Sequence, residues 1–227
     1  MSIKITWLGH AAFHLKINTT SVLIDPFLKS NPLAPYPPEQ AEADFILLTH
    51  AHADHLGDSI AISHRTNAIV VAVAEIAHWV EEQGVAHSHA MNVGGGFTFP
   101  FGHVKYVMAE HSSSFPDGSY AGLACGIVIS AEKKRLYFAG DTALFGDMKL
   151  LADPKIDVAF LPIGDNYTMG PDDSITATKW ISPDAVFPIH YNTWASIQQD
   201  AGSWARRINN ETQAHAIVLD PGSSFSL

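Results

Sequence analysis

The sequence predicts an α/β protein with four layers, an αββα sandwich in which two mixed β-sheets pack face to face and helices cover their outer sides. Three observations support this prediction. The chain opens with short β-favouring runs, both halves then alternate strand and helix patterns, and no repeat or polar linker divides the 227 residues. We therefore expect residues 1–227 to form a single domain.

The opening part of the chain has the pattern of antiparallel strands. Residues 3–8, 12–17 and 21–24 are β-favouring runs separated by short turn segments. A Pro-rich segment at 31–38 then interrupts regular structure before an apolar strand at 45–48. This part predicts a β-meander followed by a loop and a further strand.

The remainder alternates strands with helices. Strands are predicted at residues 69–73, 104–108, 126–130, 136–139, 158–161, 185–189 and 216–219. Helices are predicted at residues 74–83, 144–151, 173–181 and 196–209. This alternation predicts sheets with helices on their outer faces.

The amino-acid composition favours some kinds of function and disfavours others. The 13 His residues equal the 13 Lys plus Arg, which suggests that imidazole is used chemically. A net charge of −10 with neutral His disfavours general binding to nucleic acid and to anionic lipid. Two divalent cations would add about +4 at one cleft, so the substrate can still be anionic.

Several features predict a cytoplasmic protein that does not enter the membrane. No window approaches the roughly 20 apolar residues of a spanning helix. The first residues alternate apolar and polar side chains and lack the apolar region of a secretory signal. Cys125 is the only cysteine and lies in an apolar run, so no intramolecular disulfide can form.

Four side chains of metal-ligand type follow the strand predicted at 45–48, namely His50, His52, Asp54 and His55. In an extended segment His50, His52 and Asp54 point to the same side, and a turn at the end of the run would aim His55 at a second ion. The small alanines between them let the backbone approach an ion closely. This spacing favours a metal site over a His-rich surface loop.

Three further ligand candidates each end another predicted strand. His111 follows the strand at 104–108, Asp141 follows 136–139, and His190 follows 185–189. Each alone would be read as a polar residue at a strand end. Because the carboxyl ends of strands form one rim of an α/β sheet, we expect the three to converge with the first cluster.

These residues resemble the metallo-β-lactamase superfamily over essentially the whole chain. A branch of small metal-dependent hydrolases is more similar still, on residues 7–10, 23–26, 162–171 and 188–193. Ascorbate-phosphate lactonases and N-acyl phosphatidylethanolamine phospholipases resemble the chain more distantly. The resemblance implies the metallo-β-lactamase fold for the predicted sandwich.

The resemblance also implies two divalent metal ions. His50, His52 and His111 would hold one ion, Asp54, His55 and His190 would hold the other, and Asp141 would bridge them. This agrees with coordination chemistry, because a carboxylate can share two oxygens whereas an imidazole offers one free nitrogen. Nitrogen and oxygen ligands without cysteine favour zinc first, with manganese or iron as alternatives.

The predicted activity is hydrolysis of a small molecule. Two ions about 3.5–4 Å apart lower the pKa of a bridging water toward neutrality, and the resulting hydroxide would cleave a small ester, lactone or phosphodiester. Asp54 would orient the hydroxide and carry its proton, and Asp54 and His190 are the catalytic candidates.

Four more residues are candidates for supporting roles. His10 and Asp25 follow early strands and would orient metal-bound imidazoles, with ordinary turn capping as the alternative. Asn166 and Tyr167 would place an amide and a phenol near an anionic intermediate, with an Asx-turn as the alternative. Residues 32–38 and 112–118 are expected to form walls of the pocket.

Other functions fit the sequence less well. A nucleic-acid phosphodiesterase of this superfamily usually carries a basic arm or domain, and none is visible. The di-iron flavoprotein oxygen reductases have Glu where this chain has His52, together with a flavin domain. A non-catalytic metal-binding member normally lacks a ligand, and here the set is complete. A homo-oligomer stays open because relatives often assemble.

Overall fold

The computed structural model describes residues 2–227, which form fourteen β-strands and five α-helices. The strands are β1 (Ile3–Trp7), β2 (Phe13–Ile17), β3 (Thr20–Ile24), β4 (Phe45–Leu47), β5 (Ile69–Val73), β6 (Ser88–Met91), β7 (Gly96–Phe99), β8 (Gly102–Met108), β9 (Cys125–Ala131), β10 (Lys134–Phe138), β11 (Val158–Pro162), β12 (Ala185–Ile189), β13 (His215–Ala216) and β14 (Ser224–Ser226). The helices are α1 (Ala53–Leu56), α2 (Ser59–Thr66), α3 (Ala74–Glu82), α4 (Pro171–Ile181) and α5 (Ala201–Glu211). Three 3-10 helices lie at Pro38–Gln40, Gly146–Ala152 and Ala195–Ile197.

The strands form two mixed sheets of seven strands each. The first has the order β14-β1-β2-β3-β4-β5-β6, and the second has the order β13-β12-β11-β10-β9-β8-β7. In the first sheet β3 to β6 are parallel, and in the second β10 to β13 are parallel. The prediction of two mixed sheets in an α/β sandwich is therefore confirmed.

The core lies between the two sheets. Phe13 of the first sheet contacts Phe160 of the second, with ring centroids 4.8 Å apart, and Phe160 stacks on Phe138 at 4.2 Å. In β1 and β2 every second residue is buried, whereas all five residues of β11 and of β12 are buried. Strands buried on both faces are expected where helices cover a parallel sheet, and α4 packs against β11.

Several predicted elements differ from the structure. The helix expected at 196–209 is two elements, because Asp200 accepts a hydrogen bond from the Ser203 backbone N–H and starts a new helix there. The segment expected as a helix at 144–151 is a 3-10 helix at Gly146–Ala152, and the strand expected at 216–219 is the two-residue β13. Helix α2 and the short strands β6, β7 and β14 were not predicted, because each is too short or too polar to give a clear periodic pattern.

The fold brings the ends of several strands to one edge. Strands β3, β4, β8, β10, β11 and β12 each precede a segment that reaches the candidate site. Parallel strands end at the same edge of a sheet, so segments far apart in sequence meet there. Among residues 2–227 no helix is long and apolar enough to cross a membrane.

Candidate metal centre

The His50–His55 run changes from extended to helical backbone partway along. His52 is the last extended residue, and Asp54 and His55 belong to the single helical turn α1. The turn predicted at the end of the run is present as α1, but it begins at Ala53, so the prediction that Asp54 is extended is wrong. The turn separates the two side chains, because His55 points into the protein and is fully buried while the Asp54 side chain is 24% exposed.

A first group of ligand candidates consists of three histidines. His50 Nε2 lies 3.0 Å from His52 Nδ1. The His111 ring lies 5.2 Å from the ring of His50 and 5.1 Å from that of His52, between centroids. One nitrogen from each of the three rings lies within 4.8 Å of the other two nitrogens, and this spacing is compact enough for one ion.

A second group surrounds Asp141. Its Oδ1 lies 3.2 Å from His55 Nε2, and its Oδ2 lies 3.1 Å from His190 Nε2 and 3.6 Å from His111 Nε2. Asp54 Oδ2 lies 3.6 Å from the same His190 nitrogen. Asp141 therefore stands between the three histidines and the group formed by Asp54, His55 and His190.

Two atoms of this cluster lack hydrogen-bond partners within the described chain. His55 Nε2 and Asp141 Oδ1 are buried, and neither makes a hydrogen bond of acceptable geometry in residues 2–227. Buried polar atoms are almost always satisfied, so unpartnered ones at the centre of a cluster indicate a missing binding partner. Imidazole nitrogens and carboxylate oxygens suit a divalent transition metal, so the residues present fit such an ion.

The electrostatics also favour a positive charge at this position. Burial by itself raises the pKa of Asp141, but His190 and His55 hold it well below its ordinary value. Burial lowers the pKa of His190, yet the Asp141 charge and the hydrogen bonds that the ring donates to Asp141 and Asp54 raise it to about 9. The buried Asp141 carboxylate and the partly exposed Asp54 carboxylate thus stabilise cationic charge on the groups around them.

Asp25 lies directly behind the cluster at the end of β3. Its Oδ2 lies 2.8 Å from His55 Nδ1, and Oδ1 accepts the Thr49 backbone N–H at 2.8 Å. The Thr49 hydroxyl donates to Oδ2 at 2.6 Å. This buried carboxylate orients the His55 ring so that Nε2 faces the cluster.

His10 occupies the opposite side of Asp54. Its Nε2 lies 3.1 Å from Asp54 Oδ2, and its Nδ1 lies 2.7 Å from the Thr193 hydroxyl. One nitrogen of His10 also falls within 4.8 Å of ligand atoms of Asp54, His55 and His190. His10 is fully buried, and its ring also packs on the ring of His190, with centroids 4.1 Å apart.

A cavity of about 760 Å³ opens onto the cluster. It is lined by Phe27, Lys29, Ser30, His52, Ala53, Asp54, Gly57, Asp58, His111, Ser112, Asp141, Tyr167, His190, Trp194 and Ser196. Tyr167 thus reaches the cavity, whereas Asn166 is exposed and is absent from its lining. Asp54, His190 and Asp141 are accessible from this cavity.

The walls of the cavity differ from the sequence expectation. Residues 32–38 do not line it, and of residues 112–118 only Ser112 does. The residues that sequence reasoning missed include Phe27, Lys29 and Trp194. A single aromatic or lysine in a loop carries no spacing signal, so only the folded chain reveals these positions.

A His and Asp cluster at the strand ends of this sandwich defines the metallo-hydrolase class of the beta-lactamase superfamily. The family described as Beta-lactamase superfamily domain matches residues 20–191, which is more than half of the chain. Relatives within this superfamily are similar over almost the full chain.

Curated relatives come from several bacteria. A UPF0173 metal-dependent hydrolase of Shouchella clausii is 45% identical over 231 residues and covers 99% of this chain and 100% of the relative. Proteins of the same name from Enterococcus faecalis and Thermus thermophilus are 47% and 46% identical, covering 96% and 99% of both chains. This chain belongs to the UPF0173 metal-dependent hydrolases of the beta-lactamase superfamily.

Solved structures agree with the fold. Igni18, a metallo hydrolase from Ignicoccus hospitalis, superimposes with a TM-score of 0.92 at 32% identity, covering 100% of this chain and 99% of that one. An isothiocyanate hydrolase from Delia radicum gut bacteria has a TM-score of 0.76 at 20% identity, covering 98% of each chain. The latter likeness is to the fold alone.

Proposed function

We propose that this chain is a single-domain hydrolase that uses two divalent metal ions to cleave a small ester, lactone or phosphodiester. The observation that carries the proposal is the position of Asp141, whose carboxylate lies 3.6 Å from His111 of the three-histidine group and 3.1–3.2 Å from His190 and His55 of the other group. A shared carboxylate between two groups of ligands is the arrangement expected for a two-metal site.

The proposed ligands form one group of three histidines and one group around Asp54. His50, His52 and His111 would hold the first ion, Asp54, His55 and His190 would hold the second, and Asp141 would contact both. Their histidine and carboxylate donors favour zinc, with manganese or iron as alternatives. His10 and Asp25 would act as positioning residues. Each contacts a proposed ligand with one side-chain atom and hydrogen-bonds a threonine with another, Thr193 for His10 and Thr49 for Asp25.

When bound, such ions lower the pKa of water and polarise a carbonyl or phosphoryl oxygen. The residues of this chain would then orient the reactants. The Asp54 side chain is 24% exposed and lines the cavity. Burial by itself raises its pKa, but hydrogen bonds from His10 and His190 hold the pKa below the ordinary value. Asp54 therefore stays ionised near neutral pH, and its carboxylate can accept the proton of the attacking water.

We propose that the substrate is a small molecule. A cavity of about 760 Å³ holds a metabolite-sized compound. The net charge of −10 disfavours a nucleic-acid backbone over most of the surface. Nucleic-acid phosphodiester cleavage is therefore the weaker alternative, and we propose that any anionic group is recognised inside the cavity.

The experiment is reconstitution of the metal-free protein with zinc, manganese or iron, followed by assays on aryl phosphodiesters, carboxyl esters, lactones and single-stranded oligonucleotides. Asp54→Ala and His190→Ala are the test variants, and His87→Ala is the control because His87 is exposed and lies outside the cluster. Turnover that needs metal and is lost only in the test variants would support the proposal. Two ions bound per chain without turnover of any substrate would overturn it.

A further inference from the structure

Lys29 stands out among the residues that line the cavity. Within residues 2–227 it is the only lysine or arginine in that lining. Its backbone lies in the loop that follows Asp25. The Lys and Arg ion pairs of the described chain involve Lys134, Lys155, Lys179 and Arg207. Lys29 is thus an exposed lysine that lines the cavity, and it forms no ion pair with the carboxylates of residues 2–227.

The carboxylates of the cavity are engaged elsewhere. Asp54 and Asp141 belong to the metal cluster. Asp58 Oδ2 accepts the backbone N–H groups of Leu28 and Lys29, at 2.8 Å and 2.9 Å. No carboxylate is therefore reserved for the Lys29 side chain, and an exposed lysine in a catalytic cavity is suited to bind an anionic group of a ligand.

The loop that carries Lys29 is fixed to the metal-binding turn. Besides the two bonds to Asp58, the Asp58 backbone N–H donates to Pro26 O at 2.9 Å. Gly57 packs so closely that an added Cβ would lie 2.5 Å from Pro26 O and 2.7 Å from Phe27 Cα. Because α1 carries Asp54 and His55, the backbone of Lys29 has a set position relative to the cluster.

The same cavity has an aromatic wall. Phe27 and Trp194 lie with ring centroids 6.2 Å apart, and both contact the His10 ring. Trp194 is 38% exposed and Tyr167 is 56% exposed, although both are large aromatic residues. Exposed aromatic faces in a cavity gain free energy by packing against an apolar or aromatic group.

We propose that the substrate is an amphiphilic anion whose apolar, preferably aromatic, group packs on the exposed face of Trp194 and whose carboxylate, separate from the scissile bond, pairs with Lys29. The inference rests on the proposed function, because the scissile group is placed at the His and Asp cluster. Lys29 and Trp194 are then specificity-determining residues, and neither takes part in the chemical step.

The test compares two ligands that differ by one carboxymethyl group. 2-Benzylsuccinate and 3-phenylpropanoate both carry an aryl group and a carboxylate for the cluster, but only the first has a second carboxylate. Binding to the zinc-loaded protein is measured by isothermal titration calorimetry for wild type, Lys29→Gln, Lys29→Arg and Trp194→Ala. Lys4→Gln is the control, since Lys4 is an exposed lysine outside the cavity.

We expect wild type and Lys4→Gln to bind benzylsuccinate about fivefold more tightly than phenylpropanoate, a preference typical of one exposed ion pair. Lys29→Gln should remove that preference, Lys29→Arg should restore it, and Trp194→Ala should weaken both ligands equally. A preference unchanged in Lys29→Gln, or affinities unchanged in Trp194→Ala, would overturn the inference even if the enzyme hydrolyses esters. A preference that depends on Lys29 would support it even if no substrate is turned over.

Discussion

His55 Nδ1 lies 2.8 Å from Oδ2 of Asp25, a carboxylate that links the two groups of ligand candidates. The same carboxylate accepts the Thr49 hydroxyl at 2.6 Å, and Thr49 Oγ1 lies 3.0 Å from His50 Nδ1. One buried aspartate thus orients His55 directly and His50 through Thr49. Because His55 and His50 are proposed to hold different ions, Asp25 is expected to affect the affinity of both.

Asp25→Asn should lower the affinity for both metal ions by about 10- to 100-fold, the usual effect of removing a partner behind a ligating histidine. The amide keeps one acceptor but turns a donor toward Thr49 or His55. Zinc titration with a competing chelator measures the change. Asp44→Asn is the matched control, because Asp44 Oδ2 accepts only the Ser21 backbone N–H at 2.7 Å, away from the cluster. Equal losses in the two variants would contradict the prediction.

Removing metal should lower the thermal stability of the protein. The buried His55 Nε2 and Asp141 Oδ1 gain partners only when a ligand occupies the cluster, and ligand at 1,000 times its Kd adds about 4 kcal/mol to the free energy of unfolding. For a domain of this size that corresponds to a rise in Tm of roughly 8–16 °C. Melting curves with zinc and after chelation test this, and Asp141→Ala should show a much smaller difference. A wild-type Tm that does not change after chelation would refute this prediction.

Gly57→Ala should destabilise the protein and weaken zinc binding together. Gly57 has a φ of +47°, and a Cβ there would collide with Pro26 and Phe27. Gly118→Ala separates the two effects, because Gly118 also has a positive φ of +85° but nothing lies within 4 Å of its added Cβ. We expect Gly118→Ala to cost about 1 kcal/mol of unfolding free energy without changing zinc affinity. If Gly57→Ala behaved the same way, the close packing of this loop on α1 would be functionally unimportant.

The sequence predicted the parts of the site that depend on strand ends. His111, Asp141 and His190 each follow an apolar run, and the parallel arrangement of strands is enough to bring such positions to one edge. The placement of Asp54 was less accurate, since a local helical turn replaced the extended segment expected there. Four residues are too few to give a helical pattern, so the helical form and the start of the predicted turn could not be read from periodicity.

The cavity walls depended on contacts that no local pattern encodes. Lys29 reaches the cavity because Asp58, 29 positions further along the chain, holds its backbone. Trp194 reaches it through packing on Phe27 and His10. Sequence spacing reports on neighbours within an element, whereas these contacts join separate loops. This is why the ligand candidates were predictable from sequence and the proposed specificity residues were not.

Thr193 is expected to control the proton of His10 and, through it, the position of Asp54. Burial lowers the pKa of His10 to about 4 although its hydrogen bond to Asp54 opposes the shift, so the ring is neutral at pH 7. The Asp54 carboxylate can only accept, which requires the proton on Nε2 and leaves Nδ1 to accept from the Thr193 hydroxyl, 2.7 Å away.

Thr193→Val removes that donor and should therefore allow the other tautomer of His10, in which Nε2 no longer donates to Asp54. We expect kcat of the zinc-loaded enzyme to fall about 5- to 10-fold with little change in KM, consistent with the loss of one hydrogen bond that positions a catalytic carboxylate. Thr193→Ser keeps the hydroxyl and should retain most of the activity. Steady-state kinetics on the best substrate of the panel distinguish the two, because a role limited to packing would make the isosteric valine variant at least as active as the serine variant.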